Sequence, residues 1–354
     1  MENSTENLNW KLNTTNSSVE ILQFTYKPYI EESPGKFAVL VLFAATFCFL
    51  GVFGNVLTII SIVKEEVLRV PENCFIISRA ISDIILAGMI LPLTIAGVVK
   101  GEAYYHQRAT LCKALAGICC LVCFCNWWTL ASLSVNRLFL TWFPLKSRAI
   151  LTWRTTPALS MFCYVIGFCV VSPALFGWSV LEFDPEMMVC MVDVDTLHYN
   201  TFIVLANAIP SSITFVTLVL TAIKMNSKRR QFAVVGPEVD VMESTAFVSD
   251  NEDKSKAKQL LKELRDAAMS VKMIASLFGV TFLLWLPLTV VMLSHHALNY
   301  GRDIWAFSLL VAHLQPGVDC FCYVFVNRYF RRGYKNVVCF VFCGWSNGKC
   351  ICSS

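Results

Sequence analysis

Seven apolar stretches joined by polar segments constrain this chain more than any other feature. They run Phe37–Val63, Asn73–Val99, Leu111–Trp142, Thr156–Trp178, Tyr199–Met225, Met269–His295 and Asp303–Val326. Each is longer than the ~20 helical residues that cross a bilayer core. In lipid every backbone amide must be bonded within its own segment, so the stretches are read as helices. None alternates polar and apolar residues as a barrel strand does. The expected fold is an all-α membrane protein, a seven-transmembrane helix bundle. With 56% hydrophobic and 15% charged residues in a chain of 354, the bundle takes up most of the length. This is not the composition of a soluble enzyme, and nucleic acid is not an expected partner.

Lys and Arg near the segment ends set the orientation. Lys64, Arg69, Arg137, Lys146, Arg148, Lys228, Arg229 and Arg230 follow segments one, three and five, and Arg328, Arg331, Arg332 and Lys335 follow segment seven. These ends are assigned to the cytoplasm, which places the N-terminus outside a multi-pass plasma-membrane protein. The expected organisation is an extracellular glycosylated tail over 1–36 and the bundle over 37–327, with a third cytoplasmic loop at 226–268. An amphipathic helix and cysteine-rich cytoplasmic tail follow over 328–354. Sequons at Asn3, Asn13 and Asn16 are the candidate glycosylation sites. The first residues are polar, with no basic start before an apolar run, so the first membrane helix is expected to do the targeting.

The sixteen cysteines divide by location. Cys112 and Cys190 both fall on the side assigned to the exterior, so a disulfide between them is expected. Cys119, Cys120, Cys123 and Cys125 lie inside segment three and are read as small apolar packing residues; no metal is expected. Cys339 and Cys343 follow the Asn327–Lys335 run of mixed aromatic and basic residues, an amphipathic helix on the inner membrane surface, and are candidates for thioacylation. In the third loop the basic ends are expected to continue helices five and six, while Gly236–Asp253 between them is polar, acidic and expected to be mobile. Lys254–Lys272 reads as a helix with Leu260, Leu261 and Leu264 on one face, either a docking surface or a solvated extension. Ser249 is read as a serine in an acidic loop.

Several residues then form one pattern. Gly54-Asn55-Val56, Asp83, Asn136-Arg137-Leu138, Pro210, Trp285-Leu286-Pro287 and Asp319-Cys320-Phe321-Cys322-Tyr323 occur in this order, one set per segment except the fourth. Together they resemble the rhodopsin-like (class A) G-protein-coupled receptors over Phe37–Tyr334. Asn136-Arg137, Phe183-Asp184-Pro185-Glu186 and Phe176-Gly177-Trp178 are similar to the melatonin-receptor-like and Moody-like branches. The resemblance implies a heterotrimeric G protein as partner, with arrestin, a receptor kinase and membrane lipids as further ones, and a small extracellular ligand. It implies no cofactor and no catalytic residues. Asn136, Arg137, Trp285, Pro287 and Tyr323 become the coupling and activation residues. Pro287 removes a backbone hydrogen bond and makes α-helical segment six a lever that moves outward. The implied ligand pocket takes in Cys119, Cys123, Phe202, Asn207, Thr289, Met292 and His313. These are mostly apolar, which suits a neutral or lipid-like ligand. For His313 a structural hydrogen bond stands beside the ligand contact. An opsin-type chromophore would need a lysine where this chain has His313.

The departures from the family pattern are equally specific. Asp319 and Cys320 replace the usual Asn and Pro. Ala267 stands where relatives carry an acid that latches the arginine, and Leu218 where they carry a tyrosine. A weak latch, hence basal signalling, is expected. Arg79, Asp83, Asn126 and Asp319 form an unusual intramembrane charge set. Arg79 either pairs with Asp83 or Asp319 in a network that replaces the sodium of relatives, or snorkels to the inner surface. A seven-helix transporter or channel is the alternative class; it would show internal repeats, and none is visible.

Overall fold

The computed structural model describes residues 28–177, 179–193, 201–245, 251–294, 297–298, 300–342, 345–346 and 349–350. Seven helices among these are long and apolar enough to span a membrane: α1 (Pro34–Lys64), α2 (Pro71–Lys100), α3 (Ala109–Trp142), α4 (Thr155–Leu175), α5 (Thr201–Lys228), α6 (Lys262–Ser294) and α7 (Arg302–Val326). An eighth, α8, runs Arg328–Phe342. The side chain of Asn327 starts it by accepting the Tyr329 amide at 2.9 Å. Phe330, Gly333 and Val337 face the bundle while Arg331, Arg332 and Lys335 are turned away from it, the pattern of a helix lying along an apolar surface. The glycosylation candidates Asn3, Asn13 and Asn16, together with Ser249, His295, His296 and Cys343, lie outside the described residues.

Prolines shape three of the spans. Each lacks an amide hydrogen and crowds the carbonyl four residues earlier. α2 contains a wide turn at Leu86–Ile90, just before Pro92, and α5 one at Val204–Ala208, just before Pro210. The Leu205 carbonyl, within the second of these turns, accepts the Trp128 indole N–H at 3.0 Å. α7 breaks at Leu314, ahead of Pro316. Asn55 of α1 donates to the Pro316 carbonyl at 2.9 Å and holds that break in place.

The third loop differs from expectation. The helix that begins in α5 continues to Thr245, and the helix of α6 begins at Asn251, so most of Gly236–Asp253 is helical. A helix already nucleated in the membrane extends without a second nucleation step, because each further residue gains one hydrogen bond as it is ordered.

Between α4 and α5 an antiparallel hairpin pairs β1 (Leu181–Asp184) with β2 (Val189–Val192). At its tip Asp184 accepts the amides of Glu186 and Met187, both at 2.8 Å, and Met188 adopts a left-handed φ of 57°. Burial raises the Asp184 carboxyl above its ordinary value. A disulfide joins Cys190 to Cys112 at the start of α3, so the hairpin lies across one end of the bundle.

The core has an apolar compartment toward each end of the bundle, and a third cluster of Phe124, Cys125, Val171, Phe202 and Ala206 joins α3, α4 and α5. One compartment lies at the hairpin end, with Leu86, Leu91, Ala116, Met188, Leu288 and Ala312. The other lies at the opposite end, with Phe75, Leu130, Met273, Leu277, Tyr323 and Phe330. Between the two compartments, α2, α3, α6 and α7 each contribute polar side chains.

Candidate functional site

That middle layer is a connected set of hydrogen bonds, in which Asp83 Oδ2, Asn126 Oδ1 and Asp319 Oδ1 are left without a partner. Arg79 donates through Nε and Nη2 to Oδ2 of Asp319, at 2.9 and 2.7 Å. Its Nη1 reaches the Asn126 carbonyl at 2.7 Å, and Nη2 also reaches Thr281 Oγ1 at 2.8 Å. Asn126 donates its amide to Asp83 at 2.8 Å. Gln315 donates to Asp319 at 2.7 Å and to Asp83 at 3.4 Å, and accepts the Trp285 indole N–H at 3.2 Å. Arg79 is 1% exposed and both carboxylates 0%. Arg79 therefore does not snorkel; it crosses the bundle to α7. Its partner is Asp319 and not Asp83, to which it is linked through Asn126 and, by way of Asp319, through Gln315. A charge buried this deeply needs a paired counter-charge and several donors or acceptors around it. Gln315 and Thr281 were missed by sequence reasoning. Gln315 had a readable signal, a lone amide in an apolar stretch four positions before Asp319 and so on its face of the helix.

Toward the hairpin end this layer meets a cavity of about 60 Å³. The structure brings Cys119, Cys123, Phe202, Asn207, Thr289, Met292 and His313 onto its wall, with Trp285 beneath and Cys190 of the hairpin above. The Trp285 ring stands between those of Trp127 and His313, with centroids 6.3 and 6.4 Å away. The hairpin closes the cavity because α2 leaves room for it at Gly97. A methyl group there would lie 2.7 Å from the Met188 carbonyl and 3.0 Å from the Phe183 ring. Gly97→Ala is accordingly expected to lower stability by about 1–3 kcal/mol through overpacking. Thermal unfolding in detergent reads this; an unchanged midpoint would mean that the hairpin does not rest on α2.

The N-terminal segment adds a clasp beside the hairpin. Tyr29 is fully buried and donates to Asp303 at 2.7 Å, Arg302 pairs with Glu32 at 2.7 Å, and Lys36 also pairs with Asp303. Burial, then the Asp303 carboxylate, hold the Tyr29 phenol well above its ordinary value.

At the opposite end a crevice of about 580 Å³ is lined by Arg137, Glu72, Lys228, Asp266, Ala267 and Tyr329, among others. Among the described residues no carboxylate pairs with Arg137, and its Nε makes no hydrogen bond. Asp266 is occupied elsewhere: it accepts Arg328 at 3.0 Å and the Tyr329 hydroxyl at 3.0 Å. Asn136 is buried beside Arg137, with both amide atoms unpartnered. Tyr323 is fully buried and packs on Phe330 of α8, centroids 5.1 Å apart. Cys339 is buried on α8.

Seven spanning helices, a disulfide-held hairpin over one mouth, and an unlatched arginine at the other define a seven-helix membrane receptor. The model of the 7 transmembrane receptor (rhodopsin family) matches residues 54–323. The chain belongs to that family, the class A G-protein-coupled receptors. It is similar to the human 5-hydroxytryptamine receptor 4, 21% identical over 317 residues that cover 85% of this chain and 79% of that receptor. The mouse melatonin receptor type 1B is 21% identical over 312 residues, covering 84% and 76%. Likeness to melatonin-type and amine-type receptors is thus equal in extent. In fold it is similar to squid rhodopsin, with a TM-score of 0.71 at 17% identity over 92% of this chain and 93% of that one. Family membership removes the transporter alternative and the enzyme reading with it.

Proposed function

We propose that the chain is a plasma-membrane receptor, its N-terminus outside, that binds a neutral or lipid-like small ligand in the hairpin-end cavity. It activates a heterotrimeric G protein from the crevice around Arg137, and arrestin and a receptor kinase would use the same face. The observation that carries this reading is the buried chain Trp285–Gln315–Asp319–Arg79, which connects the cavity floor to the layer between the two ends. A ligand that moves Trp285 strains the bond to Gln315 and, through it, the ion pair that ties α2 to α7. Pro287, two residues on, lacks the backbone hydrogen bond that would stiffen α6 there. Outward movement of α6 is the expected response.

The ligand class follows from the wall. It contains no Asp, Glu, Lys or Arg among its described residues; its polar groups are Asn207, Thr289, His313 and three thiols. A cationic amine would find no counter-charge there, so the amines in the relatives' names do not transfer. The cavity is also far smaller than the ~300–1,000 Å³ of ordinary ligand sites, so binding requires the hairpin or α6 to move. The crevice at the other end is already wide, which supports appreciable signalling without ligand.

Nucleotide exchange on purified heterotrimeric G proteins, in membranes carrying the chain, tests the proposal. Exchange above that of membranes without the chain is expected, together with a response to one or more lipids or indoles that Trp285→Ala reduces at least ~10-fold, the effect of losing about 1.4 kcal/mol of coupling. A ligand response of full size in Trp285→Ala would overturn the route through the indole.

A further inference from the structure

We propose that Cys119, Cys123 and His313 form a zinc site at the floor of the hairpin-end cavity, with its fourth coordination position open to the cavity. Cys119 and Cys123 are four residues apart on α3 and so share one face of it. His313 closes the first half of α7, immediately before the break at Leu314. The three potential ligand atoms lie within 4.8 Å of one another. Cys119 Sγ stands 3.9 Å from His313 Nε2. A tetrahedral zinc ion, with bonds of about 2.3 Å to sulfur and 2.0–2.1 Å to nitrogen, needs roughly 3.6 Å between such atoms. Small side-chain shifts therefore complete the site.

The donor set selects the metal. Thiolate and imidazole ligands favour zinc or monovalent copper over magnesium and calcium. Two thiolates and one neutral imidazole cancel the charge of a divalent zinc ion, whereas monovalent copper would leave a net negative charge. The difference matters because the cavity wall is apolar and offers no charged side chain to offset it. His313 supplies the second argument. It is 4% exposed and its Nδ1 makes no hydrogen bond, so the thiol of Cys119 is the polar group that meets the ring. Packing accounts for Cys120 and Cys125 without help, but it does not account for an imidazole turned into a pair of thiols.

Three protein ligands and one open position leave room for a ligand's own sulfur, nitrogen or oxygen donor to complete the shell. The ion would tie α3 to α7 beside Trp285. This deepens the ligand-pocket reading and rests on it only for the consequence in signalling; metal binding is measured without any ligand.

Cobalt and zinc titrated into the purified full chain test the assignment. Cobalt is expected to give a thiolate-to-metal charge-transfer absorption that zinc abolishes. Zinc should also protect Cys119 and Cys123 of the unmodified chain from alkylation, read peptide by peptide by mass spectrometry. His313→Gln and Cys123→Ser should each weaken zinc binding by more than the ~10–100-fold that loss of an outer-shell partner alone produces. Cys169→Ser, exposed on α4, should leave it unchanged. Absence of the absorption, or absence of protection at Cys119 and Cys123, overturns the site whether or not the variants fold. An absorption of undiminished strength in both His313→Gln and Cys123→Ser would place the metal elsewhere and overturn it too. Metal binding at these residues with no ligand response from any G protein would instead count against the receptor's ligand pocket, and would uphold the site.

Discussion

Replacing Arg79 by methionine is expected to destabilise the bundle by about 3–5 kcal/mol, because it leaves Asp319 buried without its counter-charge. Folded proteins have little stability to spare, so the loss should appear as a lower unfolding temperature in detergent and as reduced surface expression. The double variant Arg79→Met, Asp319→Asn removes both charges, nearly keeps the volumes, and should regain most of the loss. The physical reason is the asymmetry of buried ion pairs: removing one partner strands a charge in a low dielectric, whereas removing both also removes the desolvation penalty and is often neutral. A double-mutant cycle then isolates the coupling. If the double variant is as unstable as the sum of the two single ones, the pair does not act as a unit.

The same variant examines the ion content of the layer. With Arg79 present, the two carboxylates already have a fixed cation, and sodium is expected to shift the unfolding temperature little. In Arg79→Met, Asp83 and Asp319 remain close, both bonded by Gln315, and sodium should stabilise the variant by mass action while potassium does less. Equal sodium dependence in both chains would show that Arg79 does not stand in for the ion.

Installing an acid at Ala267 is expected to silence the unliganded receptor. Ala267 and Arg137 line the same crevice, and Asp266 next to it is turned to Arg328 and Tyr329. A Glu at 267 that bonds Arg137 adds a charge-assisted contact worth about 1.5–3 kcal/mol to the closed form. Basal nucleotide exchange should fall about 10–100-fold as a result. Arg137→Ala should also lower basal exchange, by removing the contact to the G protein. Basal exchange that neither substitution changes would dissociate the crevice from signalling.

The spans and the amphipathic helix α8 were legible in the sequence, because each follows from local chemistry; the wide turns before Pro92 and Pro210 were not. Apolar runs have nowhere else to go, and a strip of Phe330 and Val337 opposite Arg331, Arg332 and Lys335 has one stable placement. The hairpin at Leu181–Val192 was not legible. Its strands are short, and the Cys112–Cys190 bond, the turn at Asp184 and the space at Gly97 are what hold it in place. Continuation of α5 beyond the membrane was expected from its basic end, but its reach into the polar stretch to Thr245 was not, since composition reports solubility and not whether a helix has already been nucleated upstream.

The partner of Arg79 shows where local reading ends. The chain alone established that an arginine and two aspartates lie in membrane helices and that each must be neutralised. Which acid Arg79 meets depends on how α2 and α7 are rotated against one another, residues 240 positions apart in sequence. The same holds for Cys119, Cys123 and His313: two thiols on one helical face were predictable from their spacing, but only helix packing brings an imidazole to them. Periodicity determines which residues share a face of one helix; the rotation and depth of its neighbours decide what that face touches.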